Sequence, residues 1–154
     1  MPNSMADYNL YSLEDTIYQD MELAYRNHVY QTYLNLRSDT KLKMLEIAEK
    51  NGLSPSNPNI IEDVKNYISS AAKYNIDYES IPLTVDFAPY FLEVTREGIC
   101  QHFAMAATVM YQSLGIPARY TVGFAAQTKA NEWVEVTGYQ KHAWVEVYID
   151  GFGW

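Results

Sequence analysis

Cysteine is almost missing from this chain. Cys100 is the only one in 154 residues, so no internal disulfide can staple the fold, and the count leaves the redox compartment open. Positive charge is also scarce. The 11 Lys and Arg against 19 Asp and Glu give a formal charge of −8, which repels phosphate backbones and leaves no basic stripe, so nucleic acid is not an expected partner. No apolar run approaches the ~20 residues that span a bilayer, and Met1-Pro2-Asn3-Ser4-Met5 lacks the charged start and apolar centre of a secretory signal. The chain therefore reads as soluble, a reading compatible with a piece cut from a longer membrane protein. Structural zinc wants four soft or imidazole ligands, and Cys100, His102 and His142 are the only ones expected near one another, so a metal site is disfavoured. Neither metal nor cofactor is expected.

With 48% apolar residues, the chain can bury one domain's core. Leu13, Ile17, Met21, Ala24, Tyr25 and Val29 recur at helical spacing, so a long helix is expected from Ser12 to Leu36, with Ser12 as cap, Asp15 as its acidic partner and a break near His28. Ser38 should cap a second helix burying Leu42, Leu45 and Ala48 and stopping at Gly52. Asn59 and Glu62 have the spacing of a capping box for a third, running to about Lys73. The segment 75–91, with Pro82 and Pro89, shows no period and reads as an irregular wrap.

The clearest helix runs from Cys100 to Leu114: Phe103, Ala106, Ala107, Met110 and Leu114 share a face, Gly115 follows and Pro117 forbids continuation. Two strands come next, 118–124 and 142–149. Between them Trp133-Val134-Glu135-Val136 is either a short strand or exposed loop. Asp150-Gly151 is a hairpin signal, from which Phe152-Gly153-Trp154 returns. Helices first and strands last indicate an α+β fold with a mainly antiparallel sheet.

The chemistry centres on Cys100. A helix N-terminus and a neighbouring imidazolium both stabilise a thiolate, and Gly98 just before it lets the chain turn sharply. Against this stands the ordinary fate of a lone cysteine beside an alanine-rich face, a small buried apolar side chain. Three histidines compete for the role of base. His102 lies about 200° round the same helix from Cys100 and reads as a packing or surface residue. His28 has no catalytic neighbour in sequence, which leaves His142 at the start of a strand.

These residues carry a family resemblance. Gly98-Ile99-Cys100-Gln101-His102-Phe103-Ala104, then Leu114-Gly115-Ile116-Pro117-Ala118-Arg119-Tyr120 with Gly123-Phe124, then His142-Ala143-Trp144-Val145-Glu146-Val147-Tyr148 with Gly153-Trp154, resemble the bacterial transglutaminase-like core over roughly 90–154. The resemblance implies a papain-like α+β fold with Cys100 as nucleophile and His142 as base. It also implies a division into a helical region, 1–89, packed on a core, 90–154, that stops before its last strands. The segment from about Tyr30 to Tyr74 is similar, more weakly, to what precedes the core in membrane-anchored members. The expected location is accordingly the extracytoplasmic face of the cell membrane, and the expected partner a protein or peptide bearing an amide acyl donor.

In such a triad a third residue accepts a hydrogen bond from the base and holds its tautomer. The family places an Asp there, on the strand after Gly-Trp, and hairpin symmetry about Asp150-Gly151 puts the position opposite His142 at about 159, outside this chain. Asp150 and Glu146 lie roughly 26 and 13 Å from His142 along the strand and do not substitute. The fragment is therefore expected to be impaired in an acyl transfer or amide hydrolysis that the parent performs. Trp133, Tyr139 and Trp144 are candidates for framing the substrate channel, within or beside the loop 125–140. The competing reading is a non-catalytic envelope module that binds peptides or proteins and keeps the dyad as a vestige.

Overall fold

The computed structural model describes residues 16–154, and side chains from Tyr18 onward. Helices α1 (Thr16–Tyr33), α2 (Ser38–Lys50) and α3 (Ile60–Ala71) precede a two-residue strand β1 (Lys73–Tyr74). A short helix α4 (Phe87–Tyr90) runs into a wide π-type turn at Phe91–Thr95, followed by β2 (Glu97–Gly98) and the central helix α5 (Cys100–Ser113). Strands β3 (Ala118–Phe124) and β4 (Lys141–Val147) end the order. This is the α+β architecture the sequence indicates, with α5 packed between the helices and an antiparallel β3–β4 pair.

One apolar core joins the two halves. Met44, Ile47 and Ala48 of α2, Ile60, Val64 and Ile68 of α3, and Phe91 and Leu92 close around Ala106, Ala107, Met110 and Tyr111 of α5. The small α5 residues let the neighbouring helices approach closely, while Tyr111 reaches across to donate its hydroxyl to the Ile61 carbonyl at 2.7 Å. Gly115, at φ 81°, ends the helix as expected.

Several expectations need correction. Helix α1 passes unbroken through His28, which is exposed, and among the described side chains its predicted stripe is not a buried face: Met21 is 64% exposed and Val29 is buried, while Leu13 and Ile17 lie outside the described side chains. The helix touches the rest through polar and aromatic ties instead, with Arg26 bridging Glu22 and Asp150, and Tyr25 accepting the indole N–H of Trp154 at 2.9 Å. The proposed Ser12 cap and Asp15 lie outside the described residues. In α2 the buried positions are Thr40, Met44, Ile47 and Ala48, leaving Leu42 63% exposed. Ser38 is already helical, and Asp39 accepts the Thr40 N–H instead.

Asn59 makes no side-chain cap on α3. Asn57 takes over, accepting the Asn59 N–H at 3.0 Å and donating to Asp63 at 2.6 Å. The helix stops at Ala71 because Lys73 and Tyr74 leave to pair in parallel with Glu97 and Gly98, a two-stranded element that the sequence reading lacked. The irregular wrap is confined to 75–86. Trp133 to Val136 forms no strand.

The final hairpin is one residue longer than drawn from sequence. Ile149 pairs with Gly153, exchanging two bonds of 2.8 Å. The Phe152 N–H also reaches the Ile149 carbonyl, and Gly151 sits at φ 73° in the third place of that turn. This is type II geometry, which needs an extra residue before the strands can pair, unlike the tight primed turns of two-residue loops.

Candidate active site

Cys100 is the first residue of α5. Ile99 before it is extended, at φ −109° and ψ 178°, so the chain arrives as a strand and turns into the helix at the cysteine. The arrival is fixed by β2, which β1 holds in parallel register. The first N–H groups of any helix have no carbonyl one turn earlier to bond, and Cys100 and Gln101 hold the first two positions of α5. His142 is the second residue of β4, paired with Gly123 across the sheet.

Both residues line a cleft with two arms. One arm, about 680 Å³, lies between α3, α5 and β4 and is lined by Ile61, Ile68, Ala107 and Val145 among others. The second, about 800 Å³, opens past Ile76, Tyr78, Val122, Phe124 and Lys141. Tyr74, Cys100 and His142 line both. The cysteine is half-buried and the histidine exposed, so the thiol is sheltered yet reachable from either side.

Trp144 lines the first arm. Its ring lies against Gly123, where an added Cβ would come within 2.8 Å of it, and its indole N–H donates to Glu146 at 3.0 Å. Glu146 also takes a 2.6 Å ion pair from Arg119, its partner across the β3–β4 pair. The Trp144 N–H and the Arg119 guanidinium hold the Glu146 carboxyl below the usual range. Trp133 and Tyr139, at 104% and 101% exposure, stand free in solvent and line neither arm.

His102 is a buried residue, 9% exposed, which resolves its packing or surface assignment in favour of packing. Its ring contacts Tyr78, Phe87 and Phe91, and burial pushes its pKa down. Among the described residues no cluster of three His, Cys, Asp or Glu side chains has the geometry to hold a metal ion, and no helix is long and apolar enough to cross a membrane.

The family model of the transglutaminase-like superfamily matches residues 47–154. The chain belongs to this family. The match begins inside α2, well before the motifs that carry the sequence resemblance. Two curated proteins are similar. The uncharacterized protein YebA of Bacillus subtilis is 35% identical over 102 residues, covering 61% of this chain and 14% of that protein. A protein-glutamine gamma-glutamyltransferase of Pseudomonas aeruginosa is 36% identical over 66 residues, covering 42% of this chain and 10% of that one. The chain thus spans a small part of each. Among solved structures, the periplasmic domain of TgpA from Pseudomonas aeruginosa, bound to ethylmercury, superposes with a TM-score of 0.67 at 22% identity. That fold match takes in 83% of this chain and 47% of the other.

Proposed function

We propose that this transglutaminase-like domain carries out thiol-dependent acyl transfer or amide hydrolysis on protein or peptide substrates, with Cys100 as nucleophile and His142 as base. The observation that carries the reading is the cleft, in which a helix-start cysteine and a strand-start histidine line the same two arms. Cys100 sulfur, its proton passed to His142, attacks the amide carbonyl carbon, and the developing oxyanion faces the open N–H groups at the start of α5. The C–N bond then breaks, and the departing nitrogen takes the proton back from His142. The thioester left behind is opened by an amine, which makes a new amide, or by water, which makes an acid. Either way the thiol is restored.

Two arms meeting at one thiol suit this order of events, since the acyl donor can occupy one while the amine or water arrives by the other. The similarity to a protein-glutamine gamma-glutamyltransferase supports a protein-bound glutamine as donor. The fold match to a periplasmic domain supports an extracytoplasmic location for the parent. Glu146 is committed to Arg119 and Trp144, so the group that orients His142 is assigned to a residue other than Glu146.

The test is to incubate the domain with a glutamine-containing peptide and a labelled primary amine, and to follow acyl-enzyme and product by mass spectrometry. An adduct on Cys100, abolished by Cys100→Ala and slowed by His142→Ala, is expected. A thiol that forms no thioester and alkylates no faster than a free peptide cysteine would transfer support to the peptide-binding module.

A further inference from the structure

We infer that His102 is a positioning residue for Cys100, acting through the single peptide unit that joins Gly98 to Ile99. The inference rests on the reading of Cys100 as nucleophile. Both polar groups of that peptide are engaged. Its carbonyl, on Gly98, accepts the Asn75 N–H at 2.8 Å, and its N–H, on Ile99, donates to Nδ1 of His102 at 3.1 Å. The plane of the unit is therefore clamped from opposite sides, immediately before the chain enters α5.

His102 stands at the third helical position, where Glu or Gln normally reaches back to the cap residue's N–H. Isoleucine has no side-chain acceptor to return the bond, so His102 supplies the whole cap. The ring is held for this task. Tyr78 packs edge-on with centroids 4.4 Å apart, Phe87 and Phe91 flank it at 5.7 and 5.8 Å, and Gly98 lies flush against it. Tyr78 is the one titratable side chain in ring contact with it among the described residues. A ring that accepts at Nδ1 is neutral and carries its proton on Nε2.

Reactivity depends steeply on where the sulfur sits, since a misplacement of about 1 Å can cost roughly 100-fold in rate. His102→Phe keeps the aromatic packing and removes the acceptor, while His102→Gln restores an acceptor at the same helical position. With the peptide and amine above, His102→Phe is expected to lower kcat by about ten- to 100-fold with KM changed less than about threefold, and His102→Gln to recover most of the loss. A folded His102→Phe variant with wild-type kcat overturns the proposal. So does a loss that falls on KM alone.

The wild type offers a check that needs no variant to fold. In an NMR titration the Ile99 amide resonance is expected to move with protonation of the His102 ring, whose starting tautomer should be Nε2–H. An Ile99 amide indifferent to that ring overturns the clamp. Failure of the functional reading looks different: the wild type would show no Cys100 thioester, while Ile99 and His102 remained coupled.

Discussion

A Cβ placed on Gly98 would lie 2.7 Å from Cγ of His102 and 2.8 Å from its Nδ1. No side chain other than hydrogen fits between the approach strand and the ring. Gly98→Ala should therefore force the imidazole off its seat, with an overpacking cost of about 1–3 kcal/mol and slower alkylation of Cys100. Chemical denaturation together with iodoacetamide kinetics measures both. An alanine variant as stable and as reactive as wild type would mean that the ring has room to retreat.

Burial lowers the His102 pKa from the ordinary 6.5, so the unfolded chain takes up the proton first on acidification. The sign follows. Stability from this group is complete above roughly pH 6.5 and is lost as pH falls through the lower folded-state value. Carboxylates such as Asp39 and Glu146, held below their ordinary values of 3.8 and 4.5, keep their contribution through this range and lose it only in more acid solution. Melting temperature followed between about pH 6.5 and 5 should decline in the wild type, and less so in His102→Gln. Parallel slopes for the two proteins would refute the assignment.

Glu146 joins Trp144 and Arg119, and its lowered pKa comes first from the indole N–H and then from the guanidinium. Its stabilising share is present above the ordinary 4.5 and disappears as pH drops through the lower folded value. The indole N–H signal of Trp144 should report this with a midpoint below 4.5. Glu146→Gln, which keeps one acceptor but loses the charge, should abolish the transition. A midpoint at or above 4.5 would show that the carboxylate gains nothing from its partners.

Tyr111 is buried, with its hydroxyl on the Ile61 carbonyl, and burial drives its ionisation to well above the usual tyrosine range. Tyr111→Phe removes one donor from that carbonyl, which still takes part in the α3 ladder, and should cost about 0.5–1.5 kcal/mol. In an alkaline absorbance titration this side chain should stay protonated while exposed tyrosines ionise. Unchanged stability in the phenylalanine variant would indicate that water replaces the hydroxyl.

Much of the site was legible because it sits on regular elements. The apolar period of α5, stopped by Gly115 and Pro117, the β-branched and aromatic content of β3 and the alternation in β4 put Cys100 at a helix start and His142 at a strand start. What escaped was short or dependent on backbone geometry. A two-residue parallel pair such as Lys73–Tyr74 with Glu97–Gly98 has no period to detect. Leu42 and Met44 are both good apolar candidates in α2, and only the direction from which α3 and α5 arrive decides that Met44 goes inside. Helix geometry turns the His102 side chain away from Cys100, so spacing alone gives it no role beside the thiol. Its contact is with the backbone three residues earlier, and the available signal was its place at the third helical position.

Helix α1 carries a consequence for how the domain is made. Its Glu22 accepts the Gly151 N–H and its Tyr25 accepts the Trp154 indole N–H, each across 129 positions of chain. At a synthesis rate of roughly 5–20 residues per second, the helix waits on the order of ten seconds on the ribosome before those partners emerge. Among its described side chains Val29 is the buried apolar one, while Tyr18, Met21 and Leu23 stay exposed. The two polar ties that fasten this helix to the end of the chain are therefore completed only when synthesis has reached Trp154.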